Sequence, residues 1–341
     1  MELLINKLIA SDKQFEMFAY PNRSHGIYEY ENTTPHLRKL MTNFLLEHLP
    51  PNPGNPADEN GSEPGAKRAK GAEGAGAAND DQAMFQIEKT TAPELAEVLP
   101  KQIDVFGVKV LGTTATPDAK MRHAAIVLAE YLDNDEDGNV DNADVVSAMT
   151  GANAAIIMTR DEDELERLVD KHSESAIDAI MDRWALQALW AEETIPGGAE
   201  QGRFDATLEE VLHLVTHEGY SRIYPEVFGE RPKTKIAEAM DLARGGHFKD
   251  VPRRYPEAAW YTYDDETCDY GCQITEYFYW GLTSKLGGQE FPGRLEEIQH
   301  EWRLNTDAKL KAGDPALYSL LSEPQYKLPT RLPDGKYRSA R

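Results

Sequence analysis

Hydrophobic side chains return at three- and four-residue intervals over residues 121–132 (MRHAAIVLAEYL), 162–191, 207–218, 234–244, 272–286 and 293–303. That is the spacing of one buried helical face, so each segment is predicted to be helical. Runs with strand character, such as Asp104–Val110 and Phe15–Tyr20, are few and short. Residues 51–82 follow neither pattern. Of these 32 residues 17 are Gly, Pro or Ala, and none is a large aliphatic or aromatic residue or cysteine. Nothing there can offset the entropy of ordering, so a disordered linker is expected. It separates residues 1–50 from a longer region, 83–330, and an irregular tail is expected over 331–341. In the first piece Thr34 and Pro35 open a helix with Leu37, Leu40, Met41, Phe44 and Leu45 on one face. The expected fold is mainly α.

Charge narrows the function. With 36 Lys and Arg against 59 Asp and Glu, the net charge is −23. Such a surface repels phosphates, which argues against nucleic acid or an anionic membrane as partner and favours cations. No apolar run approaches the ~18 residues of a membrane span. The N-terminus has neither a basic region nor a small-residue cleavage site, so no signal peptide is expected there, and the compartment stays open. Cys268 and Cys272 are too few for a disulfide scaffold. They could pair, join a metal site or, the leading expectation, remain two semi-buried thiols.

Three segments carry candidate chemistry. The run Tyr20-Pro21-Asn22-Arg23-Ser24-His25-Gly26-Ile27, followed by Glu31-Asn32-Thr33 and a helix ending near His48-Leu49, resembles the C-terminal end of the prolyl oligopeptidase family, in its dipeptidyl-peptidase-IV-like branch. The resemblance implies an α/β-hydrolase fragment with His25 as general base of a serine peptidase. The order along such a chain is serine, acid, histidine. Only 24 residues precede His25, and no G-x-S-x-G occurs, so residues 1–50 lack their own nucleophile and acid.

Residues 133–144 place Asp133, Asp135 and Asp137 at loop positions 1, 3 and 5, Gly138 at 6, Asn139 at 7, Asp141 at 9 and Asp144 at 12. Hard oxygen donors at this spacing wrap a calcium ion, with Asn139 offering its backbone carbonyl. The loop and its flanking helices resemble an EF-hand, and more loosely a dockerin loop. Asp144 stands where a bidentate Glu is usual.

The third segment is TLEEVLHLVTHEG, residues 207–219. Thr207 and Glu210 are spaced as a capping box, and Gly219 is a natural helix stop. His213 and His217, four apart, would present two imidazoles to one zinc ion, with Glu276 as a third ligand. Glu209-Glu210-Val211-Leu212-His213 is H-E-x-x-H with its first His replaced by Glu. The pattern loosely resembles a zincin metallopeptidase site, which implies a peptide substrate and either Glu210 or Glu218 as base. Three functions therefore remain open: serine peptidase by descent, metal-dependent hydrolase, and non-enzymatic calcium-binding protein.

Overall fold

Residues 85–338 are described in the computed structural model. All belong to the second of two units, Met1–Gly71 and Ala72–Arg341. The N-terminal piece with His25, and the linker, lie outside the described residues.

A five-stranded mixed sheet overturns the expectation of a mainly α fold: the region is an α/β arrangement. The strands lie in the order β1 (Glu88–Lys89), β2 (Lys101–Val105), β3 (Val108–Gly112), β4 (Ala154–Thr159) and β5 (Ala185–Trp190). β1, β2 and β3 pair antiparallel, while β3–β4 and β4–β5 are parallel. The run Asp104–Val110 is the β2–β3 hairpin. Val105 pairs with Val108 across a two-residue turn, Phe106 and Gly107, both at positive φ. This is the turn geometry that matches the twist of the strands it joins.

Parallel strands need long crossovers, and helices supply them. α1 (Asp118–Leu132) and α2 (Ala143–Gly151) connect β3 to β4, and α3 (Glu162–Asp170) and α4 (Glu174–Met181) connect β4 to β5. β4 is buried along its whole length, and its side chains alternate between two cores. Ala154, Ile156 and Met158 face α1 and its neighbours, while Ala155 and Ile157 pack with Leu111, Leu95 and Leu165 on the other face.

Segment 162–191, expected to be helical throughout, ends as β5. Its sequence ALQALW is made of good helix formers, but pairing with β4 decides the local structure. The remaining helices pack on the α1 side. α5 (Thr207–Val215) runs on through a π-helical turn (Thr216–Tyr220) and a short α turn (Ser221–Ile223). Gly219 therefore does not stop the helix. A Cβ there would lie 2.6 Å from Val145 Cγ1, so glycine is what lets α2 approach. α6 (Lys235–Arg244), α8 (Arg294–Ile298), α9 (Asp307–Gly313) and α10 (Pro315–Leu320) surround α7 (Tyr270–Lys285), which is buried nearly all round. Among the described residues no helix is long and apolar enough to cross a membrane.

The C-terminal segment lacks strand or long helix, yet it is firmly held. Backbone N–H groups of Asp334, Gly335 and Lys336 donate to the Glu130 carboxylate. Asn134 Oδ1 accepts from Thr330 N and Arg331 N at 2.8 and 2.9 Å, and its Nδ2 donates to Arg331 O and Glu130 O, both at 2.9 Å. The Tyr337 hydroxyl donates to Asp133. The end of α1 and the loop after it thus satisfy the backbone of a strap that has no ladder of its own.

Asn134→Ala should leave several of these buried groups unpaired, at about 1–3 kcal/mol for each group left bare. With ~2–4 °C of melting temperature per kcal/mol in a domain this size, a fall of roughly 5–10 °C is expected in thermal unfolding. A shift below about 2 °C would show that the strap contributes little.

Candidate metal centre in the interhelical cleft

α5 begins where Asp205 accepts from Thr207 N at 3.2 Å and from Ile195 N at 2.9 Å, while Asp205 Oδ2 meets His123 Nε2 at 2.7 Å. Asp205 does the work that the sequence assigns to a Thr207–Glu210 capping box, and Glu210 is free to face elsewhere. Tyr131 of α1 donates to Leu208 O at 2.8 Å. The helix is fixed at its first turn by α1 and at its π turn by α2.

Three side chains converge above this frame. One ligand atom from each of Glu209, His213 and Glu276 lies within 4.8 Å of the others. His213 is 7% exposed, and its Nε2 makes no hydrogen bond but stands 3.5 Å from Glu276 Oε2. The other ring nitrogen lies 3.6 Å from Glu210 Oε2. Tyr279 packs edge-on against the imidazole, and the Tyr263 hydroxyl donates to Glu276 Oε1 at 3.2 Å. Gln187, on the free edge of the sheet in β5, donates to Glu210 Oε2 at 2.6 Å.

His217 does not join the cluster. The π turn widens the helix just after His213 and carries His217 off the line that regular i, i+4 spacing would give. Its Nδ1 pairs with Glu230, and its Nε2 lies 3.3 Å from Glu218. Glu218 is buried and also pairs with Arg222. Thus the structure brings together Glu209, His213 and Glu276, with Glu210 alongside, and leaves His217 and Glu218 in a separate ion-pair network.

Burial sets the protonation of the cluster. Desolvation opposes a charged His213, but Glu276 and then Glu210 raise its pKa well above the usual 6.5. Burial, then the Glu276 charge, pushes Glu209 well up. Burial alone would raise Glu276, but the His213 charge and the Tyr263 hydroxyl hold it below its ordinary value. Burial and the neighbouring charges thus favour a proton on Glu209 and on His213 and an ionised Glu276.

A cleft of about 990 Å³ opens beside this cluster and is lined by His213, Glu276 and Glu210. Its walls include the β5 segment Ala185–Gln187, the α5 face with Glu210 and His213, and the start of α7 with Cys272 and Glu276. Cys268 and Cys272 form a disulfide, so the two ordinary thiols expected from the sequence are not found.

The acidic loop forms a second cluster. Asp133, Asp135 and Asp137 offer ligand atoms within 4.8 Å of one another. Asp133 is fully buried, and its carboxylate accepts from Asp137 N at 3.1 Å and Gly138 N at 2.8 Å. Gly138 and Glu136 adopt positive φ, which gives the sharp turn. The Asp141 carboxylate binds Asn134 N at 2.8 Å. Asn139 turns its side chain onto Asp137, and Asp144 is exposed in the first turn of α2. Asp141 and Asp144 are not among the side chains that converge. Both clusters are groups of acidic and histidine side chains that could hold a metal ion.

Of the residues at the site, Tyr263 and Gln187 were not legible in the sequence. The E-E-x-x-H spacing pointed at Glu209; nothing in the sequence marked the other two. No protein-family model, curated protein or solved structure matches this chain.

Without added metal, stability should fall as pH rises above about 6.5. A group whose pKa is raised in the folded state stabilises fully below its unfolded value, and that contribution is lost as pH climbs through the folded one. Chemical denaturation between pH 6 and 9 should show the decline in the wild type and a flatter profile in His213→Gln. Parallel profiles would place the titrating group elsewhere.

Proposed function

We propose that the chain is a metal-dependent hydrolase acting on peptides, with Glu209, His213 and Glu276 as the ligands of one divalent transition-metal ion. The observation that carries this reading is the buried His213 Nε2, which makes no hydrogen bond and faces Glu276 at the floor of an open cleft. An imidazole nitrogen in that position is costly unless something binds it. A metal about 2.1 Å from each donor needs them roughly 3–3.5 Å apart, so the 3.5 Å between His213 and Glu276 already fits. Side-chain rotation would close the remaining gap to Glu209.

Glu210 is the candidate base. It lines the cleft next to His213, whereas Glu218 is engaged by His217 and Arg222. The bound ion would polarise the scissile carbonyl and the attacking water. Glu210 would take the proton from that water and return it to the leaving amine. Gln187 holds the Glu210 carboxylate in place, and Tyr263 does the same for Glu276.

A second reading concerns the acidic loop, where the convergence of Asp133, Asp135 and Asp137 favours calcium. Its role would be structural, because the same loop anchors the C-terminal strap through Asp133 and Asn134, beside Glu130 at the end of α1. A protein with calcium here and no metal in the cleft would be a non-enzymatic calcium-binding protein.

Elemental analysis after dialysis should find one transition-metal ion per chain, absent from Glu209→Ala and His213→Ala. Glu210→Gln should keep the ion and lose hydrolysis of a peptide mixture. Metal retained in both ligand variants, or full hydrolysis by Glu210→Gln, would contradict the assignment.

Millimolar calcium should raise the melting temperature, and Asp133→Ala with Asp137→Ala should remove the response. A ligand present at 100 times Kd stabilises by about 2.7 kcal/mol. Equal calcium shifts in the variant and wild type would place the binding elsewhere.

A further inference from the structure

We propose that Glu209 narrows the preference of the cleft site for zinc(II) over manganese(II), opening it to manganese(II). The inference rests on the reading of this cluster as a metal centre. Its donor set is two carboxylate oxygens and one imidazole nitrogen. Magnesium and calcium take oxygen ligands and gain little from an imidazole, whereas zinc favours nitrogen and sulfur. Manganese(II) accepts both carboxylate and imidazole. On any one donor set zinc binds more tightly than manganese, but the margin narrows as oxygen replaces nitrogen.

The fold withholds the donors that would restore the zinc preference. The π turn swings His217 onto Glu230 and Glu218, so no second imidazole reaches His213. Cys272, the sulfur on the cleft wall one turn before Glu276, is bonded to Cys268 and offers no thiolate. Glu209 therefore occupies the place where a second nitrogen would have to come from. Its carboxylate also has two oxygens to give, which suits the higher coordination number of manganese better than the four-coordinate preference of zinc.

The test compares wild type with Glu209→His, which writes H-E-x-x-H into α5. The acidic loop also attracts hard cations, so both proteins carry Asp135→Ala and Asp137→Ala. Each is stripped of metal and titrated with manganese(II) and with zinc(II) against a chelator of known affinity. The preference for zinc over manganese should rise about tenfold or more in Glu209→His. A second variant, Glu209→Gln, retains an oxygen donor without the charge and should lose manganese affinity more than zinc affinity. Equal preferences in all three proteins, with metal bound, would overturn the proposal while leaving the metal centre standing. If neither metal binds the wild-type cleft, the metal-centre reading itself fails and the proposal with it.

Discussion

Two carboxylates and one imidazole share a small space between α5 and α7, and the rest of the site is organised around that constraint. Two like charges about 4 Å apart repel by roughly 4 kcal/mol at the effective dielectric of a protein interior near its surface. The cluster has two ways to remove that cost. It can hold protons, with His213 charged and Glu209 neutral, which is the state that burial and neighbouring charges favour in the absence of an ion. Or it can exchange those protons for a divalent cation, with both carboxylates ionised and the imidazole neutral. Tyr263 and Tyr279 fix the positions of Glu276 and the ring, so only Glu209 has to turn between the two states.

That geometry depends on how α5 is gripped. Asp205 and Tyr131 hold its first turn, and the close approach of Val145 to Gly219 holds its π turn. α1 and α2, which provide these contacts, are joined by the acidic loop. The loop and the end of α1 in turn organise the strap: Asn134, Asp133 and, in α1, Glu130 bind backbone or hydroxyl groups between Thr330 and Tyr337. Lys327 O accepts from Tyr220 in the π turn, so the strap also touches the helix that bears His213. A cation at the loop would stiffen the two helices that position the cleft residues, without any contact to the cleft itself.

The helices were largely legible from periodicity, and the sheet was not. β4 is a short apolar run, AAIIMT, buried on both faces, and such a run has no period that separates strand from helix. β5 carries helix-forming residues and is a strand only because β4 lies beside it. The candidate site was legible to the extent that local spacing could reveal it. His213 and Glu276 were named together from the sequence. The partner His217 was inferred from a regular i, i+4 helix, and the π turn after His213 removed that geometry. Glu209 was visible in E-E-x-x-H, but its role depended on the approach of α7. Gln187 and Tyr263 reach the site from β5 and from the loop before α7, long-range placements that no local pattern encodes. What the sequence did not show is that the acidic loop would hold the C-terminal strap so closely.

The central claim is that Glu209, His213 and Glu276 bind one metal ion. The most direct measurement is an anomalous difference map from crystals of the full chain grown with a divalent transition metal. The predicted result is a single strong peak in the cleft, bounded by carboxylate oxygens of Glu209 and Glu276 and by His213 Nε2. A cleft without a peak, in crystals whose only anomalous scatterer sits among Asp133, Asp135 and Asp137, would contradict the account.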